Sequence, residues 1–180
     1  SFIRADSSAL NRPSAPNSIG INLSRSGTLH GQLMMGLNNT TGLRGTLFTR
    51  IKTDATTWTA WAALYGQGNI LGTVSKAAGV PTGAIIERGS NANGGSVRFA
   101  DGTQICTRTL TGATGSGSTW TFPAAFAAVP VVTGNSVATV LSSVCIDAAP
   151  STTAVTVSAR DKADARRADV MHLTATGRWF

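Results

Sequence analysis

Residues 89–106 read Gly-Ser-Asn-Ala-Asn-Gly-Gly-Ser-Val-Arg-Phe-Ala-Asp-Gly-Thr-Gln-Ile-Cys, and they constrain the fold more than any other stretch of the chain. At their centre Asp101-Gly102 is a two-residue turn signal with an extended segment on each side. Both residue types tolerate the positive φ of a type I′ turn, whose twist matches that of paired strands. On the incoming side Val97 and Phe99 share one face, and Arg98 and Ala100 the other. After the turn Thr103, Ile105 and Thr107 alternate with Gln104, Cys106 and Arg108. The pattern predicts a β-hairpin in which Asp101 and Gly102 are structural turn residues. The small and amide residues at 89–95 predict a loop that delivers the chain into it.

The rest of the 180 residues agree with a β-protein. There is one glutamate, with three lysines and three glutamines, so helix formers are scarce, while Thr, Gly, Ser and Ala crowd the chain. Threonine suits a pleated strand, and Gly and Ser suit the turns between strands. An apolar fraction of 42% with clear alternation argues for a folded chain despite its low charge. No apolar run approaches the roughly 18 residues of a membrane-spanning helix, and nothing resembles a signal peptide. The chain starts at Ser1 without a methionine, which reads as a fragment or processed product.

Taken in order, residues 1–18, with Pro13 and Pro16, predict an irregular lead-in. Alternation predicts strands at 19–24 and 29–37, then a turn at 38–42. In a third strand Leu43, Leu47 and Ile51 oppose Arg44, Arg50 and Lys52, with the charged side wet. Trp58 and Trp61 follow, and their size makes core packing their expected role. A glycine-rich stretch, 67–82, is read as a linker between a small β-rich domain, 1–66, and a larger one, 83–180. In the larger domain short strands are expected at 84–88, 120–122, 130–134, 138–146 and 155–159. Loops are expected at 112–118 and, densely charged, at 160–169. In the final strand Met171, Leu173, Ala175 and Trp179 face one way, and His172, Thr174, Thr176 and Arg178 the other. Seven or eight such strands predict an antiparallel β-sandwich.

Little in this chain points to chemistry. Its eight carboxylates include no pair that stands out for glycoside cleavage. It has no Gly-x-Ser-x-Gly elbow, and its two histidines, His30 and His172, fall in different domains. The glycines of 112–118 lack the lysine and following helix of a phosphate loop. Cys106 and Cys145 are isolated from the histidines, so no metal is expected, and no cofactor. Free buried thiols are favoured over a disulfide between them. The +7 net charge comes mostly from arginine. It is not interleaved with aromatics in a nucleic-acid motif, so no nucleic-acid partner is expected.

Three blocks of the chain resemble the C-terminal domain of bacteriophage tail fibre proteins. One is Ser90-Asn91-Ala92-Asn93-Gly94 with the hairpin from Val97 to Cys106. A second is Trp120-Thr121-Phe122-Pro123 with Phe126, Pro130, Val131 and Val132. The third is Ala175-Thr176-Gly177-Arg178-Trp179-Phe180. The match spans roughly residues 83–180; one departure is Thr107, where relatives often carry an aromatic. Upstream, Phe48 to Asp54 with Trp58, Trp61 and Leu64 resembles the small knob repeats of phage and R-type pyocin fibres. The resemblance implies an all-β fibre fragment, a β-sandwich tip preceded by a knob-like domain. It implies a homotrimer at the distal end of a virion tail fibre, made in the host cytoplasm and joined to the rest of the fibre and baseplate.

The function it implies is attachment to a host bacterial surface receptor, lipopolysaccharide or another glycan, without catalysis. The alternatives are a purely structural trimerising module and a polysaccharide-degrading enzyme. Strands of a sandwich are taken up by packing, so recognition is expected in its loops. Arginine's fork can engage phosphate or sugar carboxylate with two hydrogen bonds. The expected receptor contacts are therefore Arg160, Arg166 and Arg167, with His172 just inside the following strand.

Overall fold

The computed structural model describes residues 2–5, 17–24, 30–37, 46–54 and 56–180. All regular elements among them are strands, and all strand pairings are antiparallel. The chain is all-β and divides into two compact units, Ser1–Leu71 and Gly72–Phe180.

The first unit is a five-stranded sheet in chain order: β1 (Phe2–Ala5), β2 (Ser18–Ser24), β3 (His30–Gly36), β4 (Leu47–Ile51) and β5 (Ala62–Ala63). The segment read as a lead-in thus contains a strand, β1, with Phe2 opposite Ile21. Most of the remaining lead-in, the turn at 38–42, and Leu29, Leu43 and Arg44 lie outside the described residues. Register puts Met34 beside Phe48 and Gln32 beside Arg50 on one face, and Met34 and Phe48 are buried there. The polarity of β4 is the reverse of the expectation. Leu47 and Ile51 are exposed, whereas Arg50 is half-buried. The cause lies downstream: Lys52 bridges to Trp58, and Trp58 and Trp61 cover the Arg50 face. The opposite face keeps Phe2, Ile19, Leu23, Met35, Leu47 and Ile51 exposed, Phe2 at 87%.

The second unit opens with a short hairpin, β6 (Lys76–Ala77) and β7 (Val80–Pro81), inside the stretch read as a linker. Val74 and Ala84 on either side of it are buried, and Gly72 N–H donates to Ile86 O at 3.0 Å. Two sheets follow. One, in the order β12-β16-β10-β9-β8, is built from β8 (Ile86–Asn91), β9 (Gly94–Phe99), β10 (Thr103–Thr111), β12 (Val131–Val137) and β16 (Val170–Arg178). The other joins β11 (Ser118–Thr121), β14 (Ala154–Asp161) and β13 (Ser142–Ala148), with β15 (Arg166–Arg167) on β14. The strand expected at 138–146 begins only at Ser142, because 138–141 are taken up in the connection from β12.

The two sheets pack face to face as a sandwich. From the larger sheet Cys106, Met171, Leu173 and Ala175 point inward; from the smaller come Trp120, Val155, Val157 and Ala159. Trp120, Phe122 and Phe126 form an edge-to-face series, with centroids 5.0 and 5.1 Å apart, the geometry aromatic quadrupoles prefer. Buried polar groups in this core are satisfied. Trp120 Nε1 donates to Asn93 O at 3.0 Å. Gln104 Nε2 donates to Ala124 O at 2.9 Å, and its Oε1 accepts from Arg98 Nε at 2.8 Å. Both cysteines are free: Cys106 is in the core, with burial pushing its thiol pKa up, and Cys145 is half-buried. Cys145 is paired with Ser158, out of phase with the inward Val157 and Ala159, so it lies on the outer face, away from Cys106.

The segment 89–95, expected to be a loop, is mostly strand. β8 continues to Asn91, which pairs with Gly94 across Ala92-Asn93. Asn91 Oδ1 accepts from Asn93 N–H at 2.8 Å, so the amide side chain closes a tight turn and does not need a long loop. The turn at Asp101-Gly102 also differs in type. Gln104 pairs with Arg98, leaving Ala100, Asp101 and Gly102 as a three-residue connection. Gly102 N–H donates to Phe99 O at 3.0 Å, and Gly102, at φ 97°, has positive φ while Asp101 does not. This is a β-turn followed by a left-handed residue, the usual three-residue hairpin solution. Asp101 contributes by accepting from Thr103 N–H at 2.8 Å.

The chain end closes over this turn. Trp179 N–H donates to Gly102 O at 3.0 Å and Trp179 Nε1 to Phe99 O at 2.8 Å, while Lys76 Nζ sits 3.1 Å from the Phe180 ring centroid. A Cβ on Gly102 would come within 2.5 Å of Arg178 Nη2 and 2.8 Å of Phe180 Cζ. Gly102→Val therefore adds left-handed strain of about 1–2 kcal/mol to a displaced chain end. A thermal melt should show a midpoint several degrees lower; an unchanged midpoint would refute this reading of the turn.

Candidate functional site

The charged segment 160–169 is a hairpin. Arg160 is in β14 opposite Arg166 of β15, and Ala159 is opposite Arg167. Between Ile146 and Ala148 the β13 register slips, and this bulge turns Asp147 toward Ser158 on the outer face. Asp147 Oδ1 accepts from Ser158 Oγ and Arg160 Nη2, each at 2.9 Å, and Oδ2 accepts from Arg166 Nη2 at 3.2 Å. Arg160 Nη1 also pairs with Asp164 at 2.9 Å, and Arg167 Nε with Asp169 at 2.6 Å. Gly117 makes room for the carboxylate, because a Cβ there would lie 2.5 Å from Asp147 Oδ2. All three arginines are thus engaged by the chain's own aspartates, Arg166 through Nη2 alone, its buried Nε having no hydrogen-bond partner. No fourth member joins them from His172, which lies on β16 in the other sheet. Sequence alone could not place Asp147, because it lies 13 residues before Arg160 and reaches it through a bulge.

His172 instead belongs to the outer face of the five-stranded sheet. Pairing aligns Thr109, His172 and Asn135 in one row, and Gly95, Thr107, Thr174 and Thr133 in the next. Because the buried Cys106, Leu173 and Ala175 alternate with these positions, the rows face away from the core. Around them is an open trough of about 420 Å³, lined by Gly94, Gly95, Thr107, Thr109, His172 and Thr174 and by parts of Arg108 and Leu173. Arg108 pairs with the inward Leu173, and its Nη1 lies 3.5 Å from Asn93 Oδ1. The alternating threonines of 103–111 were the signal in the sequence, but register across three strands is what assembles them.

In the first unit Arg50 lies between two tryptophans, its guanidinium carbon 4.7 Å from the Trp58 ring centroid and 4.3 Å from that of Trp61. Gln32 Oε1 accepts from Arg50 Nε at 2.6 Å, and burial lowers the Arg50 pKa from its ordinary value. The indole faces turned toward Arg50 hold an internal cation, which makes the pair a packing device for that sheet.

No family model matches the chain, and no curated protein does. Among solved structures, a C-terminal fragment of the R2 pyocin fibre of P. aeruginosa is 14% identical with a TM-score of 0.42, covering 90% of this chain and 56% of that one. A truncated R2-type pyocin tail fibre gives the same identity and score, covering 90% and 82%. An R1 pyocin fibre fragment of P. aeruginosa is 18% identical with a TM-score of 0.34, covering 89% and 57%. The chain spans little more than half the length of the first of these, and the likeness in each case is loose.

The aspartate network sets an acid response. Burial alone would raise the Asp147 pKa, but hydrogen bonds from Arg160, Ser158 and Arg166 outweigh it and hold the carboxyl below its ordinary 3.8. Bonds from Thr103 lower Asp101, and those from Arg167 and Ser142 lower Asp169. A carboxyl depressed on folding contributes stability above its unfolded pKa and loses it as pH falls through the folded one. The melting temperature of the second unit should therefore fall steadily once the pH drops below 3.8. Asp147→Asn should lower the midpoint at neutral pH and flatten that fall, whereas Asp164→Asn, with its side chain 80% exposed, should do little. Equal effects of the two variants would contradict the network.

Proposed function

We propose that the chain is part of a phage or phage-derived tail fibre, and that it attaches the particle to a host bacterial surface by binding a glycan. In this reading it acts as a homotrimer, near the fibre tip, and does no chemistry. The observation that carries the reading is where the three tail-fibre-like sequence blocks lie in the fold. The hairpin block supplies the Gly102 turn, and the terminal block places Trp179 and Phe180 over it. The tryptophan block supplies Trp120, Phe122 and Phe126, the aromatic series of the same core. Blocks separated along the chain thus serve one structural unit, as expected if the resemblance is one of architecture.

The exposed apolar residues support assembly. Phe2, Leu23 and Ile51 on the first sheet, and Val131 and Leu141 in the second unit, are more exposed than a lone chain would gain from. Threefold repetition of one weak contact also raises avidity without any new interaction.

Sedimentation of the purified chain, and adsorption of the labelled chain to a panel of Gram-negative strains, test the two halves of this reading. The expected result is a mass three times 18.4 kDa and adsorption to at least one strain, competed by that strain's lipopolysaccharide. A trimer that adsorbs to no strain would favour the structural-module alternative. A monomer at micromolar concentration would overturn the assembly.

A further inference from the structure

We propose that the trough on the outer face of the five-stranded sheet, floored by Gly95 and walled by Thr107, Thr109, Thr174 and His172, is a saccharide-binding site. The inference rests on the glycan-attachment reading and moves the contact from the loops of the sandwich to one of its sheet faces.

Two adjacent glycines behave differently here. Gly94 is required by the backbone: it has φ 122°, and a Cβ on it would collide with Thr107 O. Gly95 is under no such demand. It is an ordinary strand residue without positive φ, and a Cβ on it would meet only Thr107 Oγ1 at 3.5 Å and Gly89 O at 4.0 Å. Glycine in a strand interior costs stability and packs nothing, and it often marks a bulge, a bend or a close approach by a ligand or another backbone. The pairing of Gly95 with Thr107 and Ser90 is regular, with no bulge. Gly95 pairs with Thr107 beside the trough, so any larger side chain would fill it.

The walls define what fits. Thr107, Thr174 and Thr133 continue the Gly95 row, and Thr109, His172 and Asn135 form the next. Neighbouring strands are about 4.8 Å apart, so hydroxyl, imidazole and amide groups form a flat grid of donors and acceptors on the scale of a sugar ring. Neither row holds a carboxylate, lysine or arginine; the row beyond Gly95 holds Arg88, opposite Val97. A phosphate would find no guanidinium fork in these rows, and an extended peptide adds to sheet edges, not faces. The grid suits a neutral, hydroxyl-rich saccharide. That chemistry also sets a salt response, since binding through uncharged hydrogen bonds is not screened.

The test is binding of the intact chain to a biosensor carrying lipopolysaccharides from a panel of Gram-negative strains. The variants Gly95→Val, Thr109→Val and the double Arg166→Ser/Arg167→Ser run beside it, each with a thermal melt. The expected result is that the parent binds at least one preparation with an affinity that hardly changes from about 0.05 to 0.5 M salt. Gly95→Val should weaken that binding at least tenfold without a lower melting temperature, since a β-branched residue suits the strand. Thr109→Val, which removes one exposed hydroxyl, gives an independent reading if Gly95→Val does not fold, and should also weaken binding. The arginine pair should keep its affinity.

Three results would overturn the proposal. Undiminished binding by both trough variants leaves the glycan reading standing and removes this site. Binding that collapses with salt and with the arginine pair assigns the contact to charge. A change of oligomeric state in Gly95→Val, with binding intact, makes this face an interface between copies. A parent that binds no preparation fails the glycan reading itself, and the trough with it.

Discussion

The pairing of β10 with β16 is the interaction on which the rest of the second unit depends. It runs in register from Thr103 opposite Arg178 to Thr111 opposite Val170. β16 lies between β10 and β12, so one strand completes two ladders. Because side chains alternate with a period of two, this single register decides both faces at once. Cys106, Met171, Leu173 and Ala175 go inward, while Thr107, Thr109, His172 and Thr174 go outward. A slip of one residue would bury threonine and histidine and expose the core. The same pairing carries Trp179 and Phe180 to the Gly102 turn, where the chain end is hydrogen-bonded and stacked.

Much of this was legible in the residues, and the reason is local. Alternation marks the strands β2, β3, β14 and β16, although in β2 and β3 the apolar side with Ile19, Leu23 and Met35 is the exposed one. Met171, Leu173 and Ala175 were readable as one face without any partner in view. Asp101-Gly102 marks a chain reversal whichever turn type it adopts. What could not be read depends on contacts distant in sequence. β4 has its charged side half-buried because Trp58 and Trp61, several residues on, cover it. Gly89 to Asn91 are in a strand although small, because β9 pairs along them and Asn91 closes the turn. Arg160, Arg166 and Arg167 looked available to a ligand, since nothing local shows that a bulge brings Asp147 beneath two of them. The outer trough was hidden for the same reason: its walls come from β10 and β16, more than 60 residues apart.

Charge here does different work from what its total suggests. The chain carries a formal +7, yet the arginines of the 160–169 hairpin pair with Asp147, Asp164 and Asp169, and Arg50 is stacked between indoles. Arginine is used as a structural cross-link in both units. On the outer face of the larger sheet, by contrast, the rows of Thr107, Thr109, Thr174 and His172 are uncharged, with Arg88 and Arg178 in the rows beyond. Attachment through such a face would rely on many modest hydrogen bonds, which is the regime in which repetition of the chain adds most.

Native-state hydrogen exchange followed amide by amide examines the central pairing directly. A sheet built around β10 and β16 predicts that their amides are the slowest in the second unit and open together, near the free energy of global unfolding. The amides of β6, β7 and the outer edge of β8 should exchange well before them. Fast exchange along β16 while β10 stays protected would mean that the last strand is an accessory to a core formed without it, and would contradict the account.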